Sequence, residues 1–178
     1  MKWISGMGYR VKFVEPAKAY RMIKDELDAA YFGVMSKGDL IDRGQLAQFE
    51  ENLAKFVGTK YAVGLNSGYD ALHMSLRAAG IGPGDEVIVP AHTFVATCSA
   101  VVNVGAKPVL VDVGKDFNID VSKIEKAITM KTKAIIPVHL SGYMADMVRV
   151  MEVAENHRLV VIEDACQSLG ASMMDQAP

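Results

Sequence analysis

Residues 159–167, Leu-Val-Val-Ile-Glu-Asp-Ala-Cys-Gln, are the stretch of this chain that decides its fold. Four apolar residues predict a short buried strand, and the carboxylate of Asp164 follows at its end. Burial of that charge is costly unless a positive group faces it. No neighbouring lysine or arginine offers a local partner, so the partner is expected from a distant part of the chain or from a bound molecule.

Two interpretations of Asp164 are open on these residues. In the first, the carboxylate holds the protonated ring nitrogen of a heteroaromatic cofactor, which is how proteins tune pyridoxal phosphate. In the second, Asp164 caps a following helix, and for this stretch alone that is the simpler interpretation. The remainder of the chain favours the first.

The composition is that of a globular protein. The chain has 178 residues, of which 51% are hydrophobic and 22% are charged, and its formal net charge is −2. This apolar content suffices for a buried core, and the charge balance favours neither nucleic-acid binding nor disorder. There is no apolar run of membrane-spanning length, no recognisable signal peptide and no CxxC pair. These features predict a cytoplasmic protein with no nucleic-acid and no membrane partner.

Short apolar runs alternate with helical patterns along the chain. The predicted strands are residues 61–65, 86–89, 108–112, 134–138 and 159–162. Apolar residues recur at helical spacing within residues 46–56, 121–128 and 147–154. Strands separated by helices predict an α/β fold, a three-layer α/β/α sandwich with a mostly parallel sheet, over residues 46–178. Residues 1–45 are expected to form an N-terminal helical arm.

Chemically distinctive residues follow the predicted strands, where ligands of open α/β sheets bind. Residues 67–69, Ser-Gly-Tyr, form a turn into a helix, whose free N–H groups suit an anion. Phe94 places a flat ring at the same edge, and Asp164 and Gln167 follow the last strand. An anion cradle, an aromatic ring and a carboxylate at one edge suit a flat, phosphorylated, cationic ring.

A metal site is an alternative interpretation of the same edge. His92, His139, Asp164 and Cys166 all follow predicted strands and carry groups that bind divalent metals. Their spacing matches no compact zinc pattern, so the sequence favours the cofactor and predicts no metal site.

Seven stretches, in order and at ordinary spacing, carry a family resemblance: residues 49–56, 62–72, 80–90, 93–97, 105–109, 137–140 and 163–167. Through them the chain resembles the DegT-type family of pyridoxal-phosphate-dependent nucleotide-sugar aminotransferases, in the aspartate aminotransferase superfamily of fold type I. Several motifs in register are more specific than one short pattern. The resemblance implies a partial large, cofactor-binding domain, with the small C-terminal domain absent.

The resemblance also implies a role for each predicted site residue. The predicted cofactor-binding residues are Ser67, Gly68, Tyr69, Phe94, Asp164 and Gln167. Gly68 and Tyr69 would offer backbone N–H groups to the cofactor phosphate. Phe94 would stack on the pyridine ring, Asp164 would hold its nitrogen protonated, and Gln167 would bond near the ring oxygen. Many relatives carry threonine at position 69, so Tyr69 is expected to keep only the backbone contact.

The family's Schiff-base lysine is missing from this pattern. It follows the strand that carries the aspartate, whereas the last lysines here, Lys131 and Lys133, precede that strand. A Schiff base needs an amine at the aldehyde carbon, so no catalytic residue is predicted within the chain and the lysine is expected beyond its end. Binding of pyridoxal phosphate is therefore expected to be weak or absent, without turnover.

Two classes of function follow from the resemblance and its departures. The first is the N-terminal part of an aminotransferase, a transferase that moves an amino group from glutamate to a nucleotide-linked keto-sugar and works as a homodimer or higher oligomer. Within that class, a relative that uses histidine in place of the lysine for dehydration is a further possibility. The second is a non-catalytic remnant that acts as a dimerising or ligand-binding module.

Overall fold

The computed structural model of the protein describes residues 12, 14–38, 40–41 and 44–173. The chain divides into two compact units, residues 1–48 and 49–178. The first holds helices α1 (Pro16–Met22) and α2 (Lys24–Met35), and neither contains a buried residue. Helix α3 (Gly44–Val57) crosses the division between the units. Within residues 1–45, the stretch predicted as a helical arm, α1 and α2 are helical, and the first eleven residues lie outside the described residues.

The second unit alternates helices and strands as the apolar pattern predicts. Its helices are α4 (Gly68–Ala78), α5 (Val95–Asn103), α6 (Val121–Ala127) and α7 (Met147–His157). Its strands are β1 (Glu86–Pro90), β2 (Lys107–Val111), β3 (Thr132–Ile135) and β4 (Val160–Val161). A short 3-10 turn, Leu140–Gly142, follows β3. No described helix is both long enough and apolar enough to span a bilayer.

The four strands form one parallel sheet in the order β2-β1-β3-β4. Successive side chains of β1 point to opposite faces. Val87 and Val89 pack with α4 and α5, whereas Ile88 packs with α6 and α7. Helices therefore cover both faces of the sheet, which confirms the predicted three-layer α/β/α sandwich.

The helix boundaries follow from local chemistry. Asp120 caps α6 by accepting a hydrogen bond from the Ser122 N–H at 3.1 Å. Asp146 caps α7 in the same way through the Arg149 N–H. Gly58 ends α3 in the left-handed conformation, with φ of +75°, which costs glycine little.

The predicted first strand, residues 61–65, is wrong. This segment is not assigned to a strand, and it pairs with none of the described strands. Its alternation is real, because Tyr61 and Val63 are about three-quarters exposed, whereas Ala62 and Gly64 are half-buried. A strand also requires a neighbouring strand as hydrogen-bond partner, whereas here the Gly64 N–H donates to the side chain of Glu50, at 2.7 Å from Oε1.

Two further strands differ in extent from their predictions. The predicted strand 134–138 begins earlier, at Thr132, and its ladder ends at Ile135. The predicted strand 159–162 is reduced to Val160–Val161. An isolated parallel bridge between Val138 and Asp164 continues the pairing beyond both, and so it sets Asp164 at the carboxyl edge of the sheet.

Candidate functional site

A cleft of about 270 Å³ opens at the carboxyl edge of the sheet. Its lining includes all the predicted cofactor-binding residues, Ser67, Gly68, Tyr69, Phe94, Asp164 and Gln167. The other lining residues are Leu72, Thr93, Ala96, Val138, Leu140 and Cys166. The fold therefore brings together three stretches that are distant in sequence.

The N-terminus of α4 forms one wall of the cleft. Ser67 is its N-cap, and its Oγ accepts a hydrogen bond from the Asp70 N–H at 3.2 Å. The N–H groups of Gly68 and Tyr69 donate to no acceptor within the described part of the chain. Two free amides at the positive end of a helix dipole suit a phosphate group.

Gly68 is required by a close approach rather than by its backbone angles. A Cβ atom at this position would lie 2.4 Å from Cys166 Sγ, with no other atom closer than 4.0 Å. Any side chain here would displace either the thiol or the first turn of α4. The cleft wall thus depends on the contact between Gly68 and Cys166.

The hydroxyl oxygen of Tyr69 is bonded to another residue of the chain. It accepts a hydrogen bond from Asn103 Nδ2 at 2.6 Å, and its ring stacks against His73 with centroids 6.0 Å apart. The backbone N–H of Tyr69 donates to no described acceptor, so it is free to bind a ligand. This geometry accords with the expectation that Tyr69 offers a backbone contact.

Asp164 is a buried carboxylate in the wall of the cleft, with 8% of its surface exposed. Its Oδ2 accepts a hydrogen bond from Thr97 Oγ1 at 2.9 Å, and its Oδ1 accepts one from the Cys166 N–H at 3.3 Å. No described lysine, arginine or histidine forms an ion pair with it. A buried charge without a cationic partner is costly, and a cation in the cleft would offset that cost.

The helix-capping interpretation of Asp164 is wrong. Residues 165–170 form turns, and no helix begins among the residues described after Asp164. The hydrogen bond to the Cys166 N–H belongs to one of these turns.

Phe94 and Gln167 complete the predicted set on the rim of the cleft. The ring of Phe94, at the N-cap position of α5, is 71% exposed. Gln167 is also exposed, and its Oε1 accepts a hydrogen bond from the Ser141 N–H at 2.8 Å. An uncovered aromatic face and an oriented amide are thus both available to a flat ligand.

The sequence reasoning missed Thr97, which is fully buried and bonds to Asp164. Its Oγ1 also lies 2.9 Å from Thr93 Oγ1, one helical turn earlier. The spacing of two threonines by four residues at the start of α5 was the available signal. Their contact with Asp164 was not visible, because it joins residues 67 positions apart.

The described residues contain no cluster of three or more histidine, cysteine, aspartate or glutamate side chains that could hold a metal ion. His139 is fully buried, and its Nδ1 accepts a hydrogen bond from the Ala145 N–H. Its Nε2 therefore carries the proton and donates to Glu163 Oε2 at 2.9 Å. His92 lies elsewhere, edge-on to the ring of Phe117.

The thiol of Cys166 has a raised pKa, which makes it unreactive at neutral pH. Burial of its sulfur against the cleft wall raises its pKa, and the hydrogen bond to Asp164 and that carboxylate's charge raise it further, to about 11. Only the thiolate reacts with electrophiles. At neutral pH the folded chain should therefore hold very little reactive thiolate at this position.

Alkylation of Cys166 by iodoacetamide at neutral pH should be on the order of a hundredfold slower in the folded chain than in the urea-unfolded chain, where a cysteine pKa is about 8.5. The rate should rise as the pH approaches 11, the raised pKa. Asp164→Asn should accelerate it by removing the nearby negative charge. Peptide mass spectrometry separates Cys166 from Cys98, and equal rates in folded and unfolded chains would contradict the assignment.

Comparison with known proteins identifies the relatives of this chain. A profile of the DegT/DnrJ/EryC1/StrS aminotransferase family matches residues 21–177. The dTDP-3-amino-3,4,6-trideoxy-alpha-D-glucose transaminase of Streptomyces venezuelae is 46% identical over 163 residues, which are 91% of this chain and 43% of the relative. The UDP-2-acetamido-2-deoxy-3-oxo-D-glucuronate aminotransferase of Pseudomonas aeruginosa is 44% identical over 163 residues, 91% of this chain and 45% of that protein.

Solved structures agree with the sequence matches. The crystal structure of S. venezuelae DesV superposes with a TM-score of 0.89 at 46% identity, covering 90% of this chain and 44% of DesV. Bacillus subtilis NtdA with bound cofactor PMP superposes with a TM-score of 0.87 at 37% identity, covering 97% of this chain and 40% of NtdA. The chain thus spans less than half the length of these relatives. It belongs to the DegT/DnrJ/EryC1/StrS aminotransferase family.

Proposed function

We propose that this chain forms the cofactor-binding part of a pyridoxal-phosphate-dependent nucleotide-sugar aminotransferase. The observation that carries the proposal is the composition of the cleft. One wall has two unpaired helix N-terminal amides, and another has the buried carboxylate of Asp164 without a described cationic partner. A molecule with a phosphate at one end and a protonated ring nitrogen at the other satisfies both.

The residues of the cleft fit pyridoxal phosphate. The N–H groups of Gly68 and Tyr69, with the N-cap Ser67, would bind the phosphate. Phe94 would stack on the pyridine ring. Asp164 would keep the proton on the ring nitrogen, while Gln167 would bond to the ring oxygen.

Each of these groups has a defined task in amino transfer. When bound, pyridoxal phosphate supplies an electron-withdrawing ring that stabilises negative charge developing on the substrate carbon. Asp164 maintains that property by holding the ring nitrogen protonated, and its hydrogen bond from Thr97 fixes the orientation of the carboxylate. Phe94 restricts the tilt of the ring and shields it from water.

The substrate proposed for the whole enzyme is a nucleotide-linked keto-sugar, with glutamate as the amino donor. The relatives from Streptomyces venezuelae and Pseudomonas aeruginosa support this class, because they are aminotransferases named for dTDP- and UDP-linked sugars. No lysine lines the cleft in the described residues, and covalent attachment of the cofactor needs an amine. We therefore expect the chain by itself to bind cofactor noncovalently and not to transfer an amino group.

Titration with pyridoxamine 5'-phosphate, followed by calorimetry, tests the proposal. We expect a Kd in the micromolar-to-millimolar range, about 4–8 kcal/mol of binding free energy. Pyridoxamine without the phosphate should bind at least about tenfold more weakly, because the α4 amides lose their anion. Absence of binding at millimolar concentration would contradict the proposed site.

A borohydride experiment with pyridoxal phosphate tests the absence of a covalent anchor. We expect no single lysine to form selectively an imine that borohydride reduces, and no amino transfer from glutamate to a keto-sugar nucleotide. A specific adduct with measurable turnover would show that a lysine of this chain reaches the cleft. A non-catalytic ligand-binding module would also bind cofactor without turnover. Co-expression with the part of a longer relative that this chain does not cover separates the two alternatives. Restored turnover would favour the aminotransferase, and no turnover would favour the non-catalytic module.

We also propose that the chain forms a homodimer or higher oligomer through the face that carries the cleft. Phe94 and Val95 expose large apolar side chains beside it, and such exposed surface favours association. Sedimentation at micromolar concentration should show species larger than a monomer. Val95→Glu should shift the chain towards monomer, whereas Met130→Glu, at the opposite edge of the sheet, should not. A clean monomer for the unmodified chain would refute this.

A further inference from the structure

Asn118 is buried, and both hydrogen bonds of its side-chain amide go to the backbone of one turn. It lies just before α6, in the hairpin closed by the bridge between Val113 and Ile119, and 1% of its surface is exposed. Its Oδ1 accepts a hydrogen bond from the Leu140 N–H at 3.1 Å. Its Nδ2 donates to the Tyr143 carbonyl at 3.0 Å. Asn118 thus joins both ends of residues 140–143, the 140–143 turn.

The 140–143 turn is held in an uncommon conformation. Ser141, at its centre, has φ of +55°, which is sparsely populated by residues other than glycine. Such a conformation persists when its surroundings over-determine it. The two hydrogen bonds of Asn118 are that constraint, and the buried His139 adds a third by accepting from the Ala145 N–H just beyond the turn.

The 140–143 turn orients Gln167. The left-handed Ser141 directs its N–H to Gln167 Oε1 at 2.8 Å. Because the amide oxygen is occupied by this donor, the amide nitrogen is the end of Gln167 left to bond with a ligand. A hydrogen-bond donor at this rim suits an oxygen on the ring of the cofactor, and an unconstrained glutamine would present either end.

We infer that Asn118 is a positioning residue, which acts through the 140–143 turn to fix Gln167 as a hydrogen-bond donor to the ring oxygen of the cofactor. The inference rests on the proposed function, since it takes the ligand of the cleft to be pyridoxal or pyridoxamine phosphate. It extends the site to a residue that does not itself line the cleft and is 22 positions from the turn that it holds.

The test compares two ligands and two variants. Asn118→Asp keeps an acceptor for the Leu140 N–H but sets a carboxylate oxygen against the Tyr143 carbonyl. Asn156→Asp makes the same chemical change on the exposed face of α7. The ligands are pyridoxamine 5'-phosphate and its analogue with hydrogen in place of the hydroxyl group on the pyridine ring, and both are titrated by calorimetry.

Asn118→Asp should weaken binding of pyridoxamine 5'-phosphate about five- to tenfold, the effect of about one hydrogen bond. Binding of the analogue should be unchanged, and Asn156→Asp should change neither. An equal loss for both ligands would show that Asn118 supports the fold in general and would overturn the inference. If the unmodified chain binds neither ligand, the proposed function fails instead.

Two further measurements do not depend on the ligand affinity of Asn118→Asp, and the second does not need that variant to fold. In the ligand-free chain, hydrogen exchange of the Ser141 amide should become at least about tenfold faster in Asn118→Asp than in Asn156→Asp. Unchanged exchange would overturn the inference. Gln167→Glu, at an exposed position, places a carboxylate where the donor was, so it should weaken binding of pyridoxamine 5'-phosphate more than that of the analogue. Equal effects on the two ligands would also overturn it.

Discussion

Replacing Asp164 by asparagine is expected to weaken binding of pyridoxamine 5'-phosphate about ten- to hundredfold. Asparagine has the shape of aspartate and keeps an acceptor for Thr97, so the change removes the charge and sets an amide group against the Cys166 N–H. A hydrogen bond between charged partners contributes about 1.5–3 kcal/mol, which corresponds to that range of affinity. Calorimetric titration of both chains at neutral pH measures the difference.

The stability of the same variant gives an independent check. The buried carboxylate has no described cationic partner, so Asp164→Asn should leave the ligand-free chain as stable as before or more stable in urea unfolding. Glu152→Gln, on the exposed face of α7, is the matched control and should alter neither binding nor stability. Unchanged affinity in Asp164→Asn would remove Asp164 from the site.

Replacing Gly68 by alanine is expected to weaken cofactor binding about tenfold or more and to destabilise the fold by about 1–3 kcal/mol. The new Cβ would lie 2.4 Å from Cys166 Sγ, so the thiol or the first turn of α4 must move. Either movement disturbs the free amides that suit the phosphate. Urea unfolding and calorimetric titration measure the two effects.

A double-mutant cycle separates this collision from other effects of alanine. Cys166→Ala removes the sulfur, so the double variant with Gly68→Ala should recover most of the lost stability and affinity. Gly44→Ala, where no atom lies within 4 Å of the new Cβ, should change stability by less than about 0.5 kcal/mol. Additive losses in the double variant would show that the contact with Cys166 is not the cause.

The helices were predictable because their signals are local. Residues 147–154 repeat apolar side chains at helical spacing, and α7 covers them; Asp120 precedes such a repeat, and it caps α6. The strand predicted at 61–65 failed because alternation reports which side chains are covered, whereas a strand is defined by its pairing with another segment. Pairing is a non-local property that no short window contains.

The candidate site divides in the same way. The three-layer fold, the family and six of the twelve residues that line the cleft were predictable from the sequence, because strand ends, turn chemistry and ordered motifs consist of consecutive residues. Only the tertiary structure decided that Thr97 holds Asp164, that Cys166 excludes a side chain at position 68, and that Asn118 orients Gln167 through a turn. These contacts join residues separated by between 22 positions, for Asn118 and Leu140, and 98 positions, for Gly68 and Cys166. Their geometry depends on how helices pack on the sheet, and packing is set by the whole core rather than by any one segment.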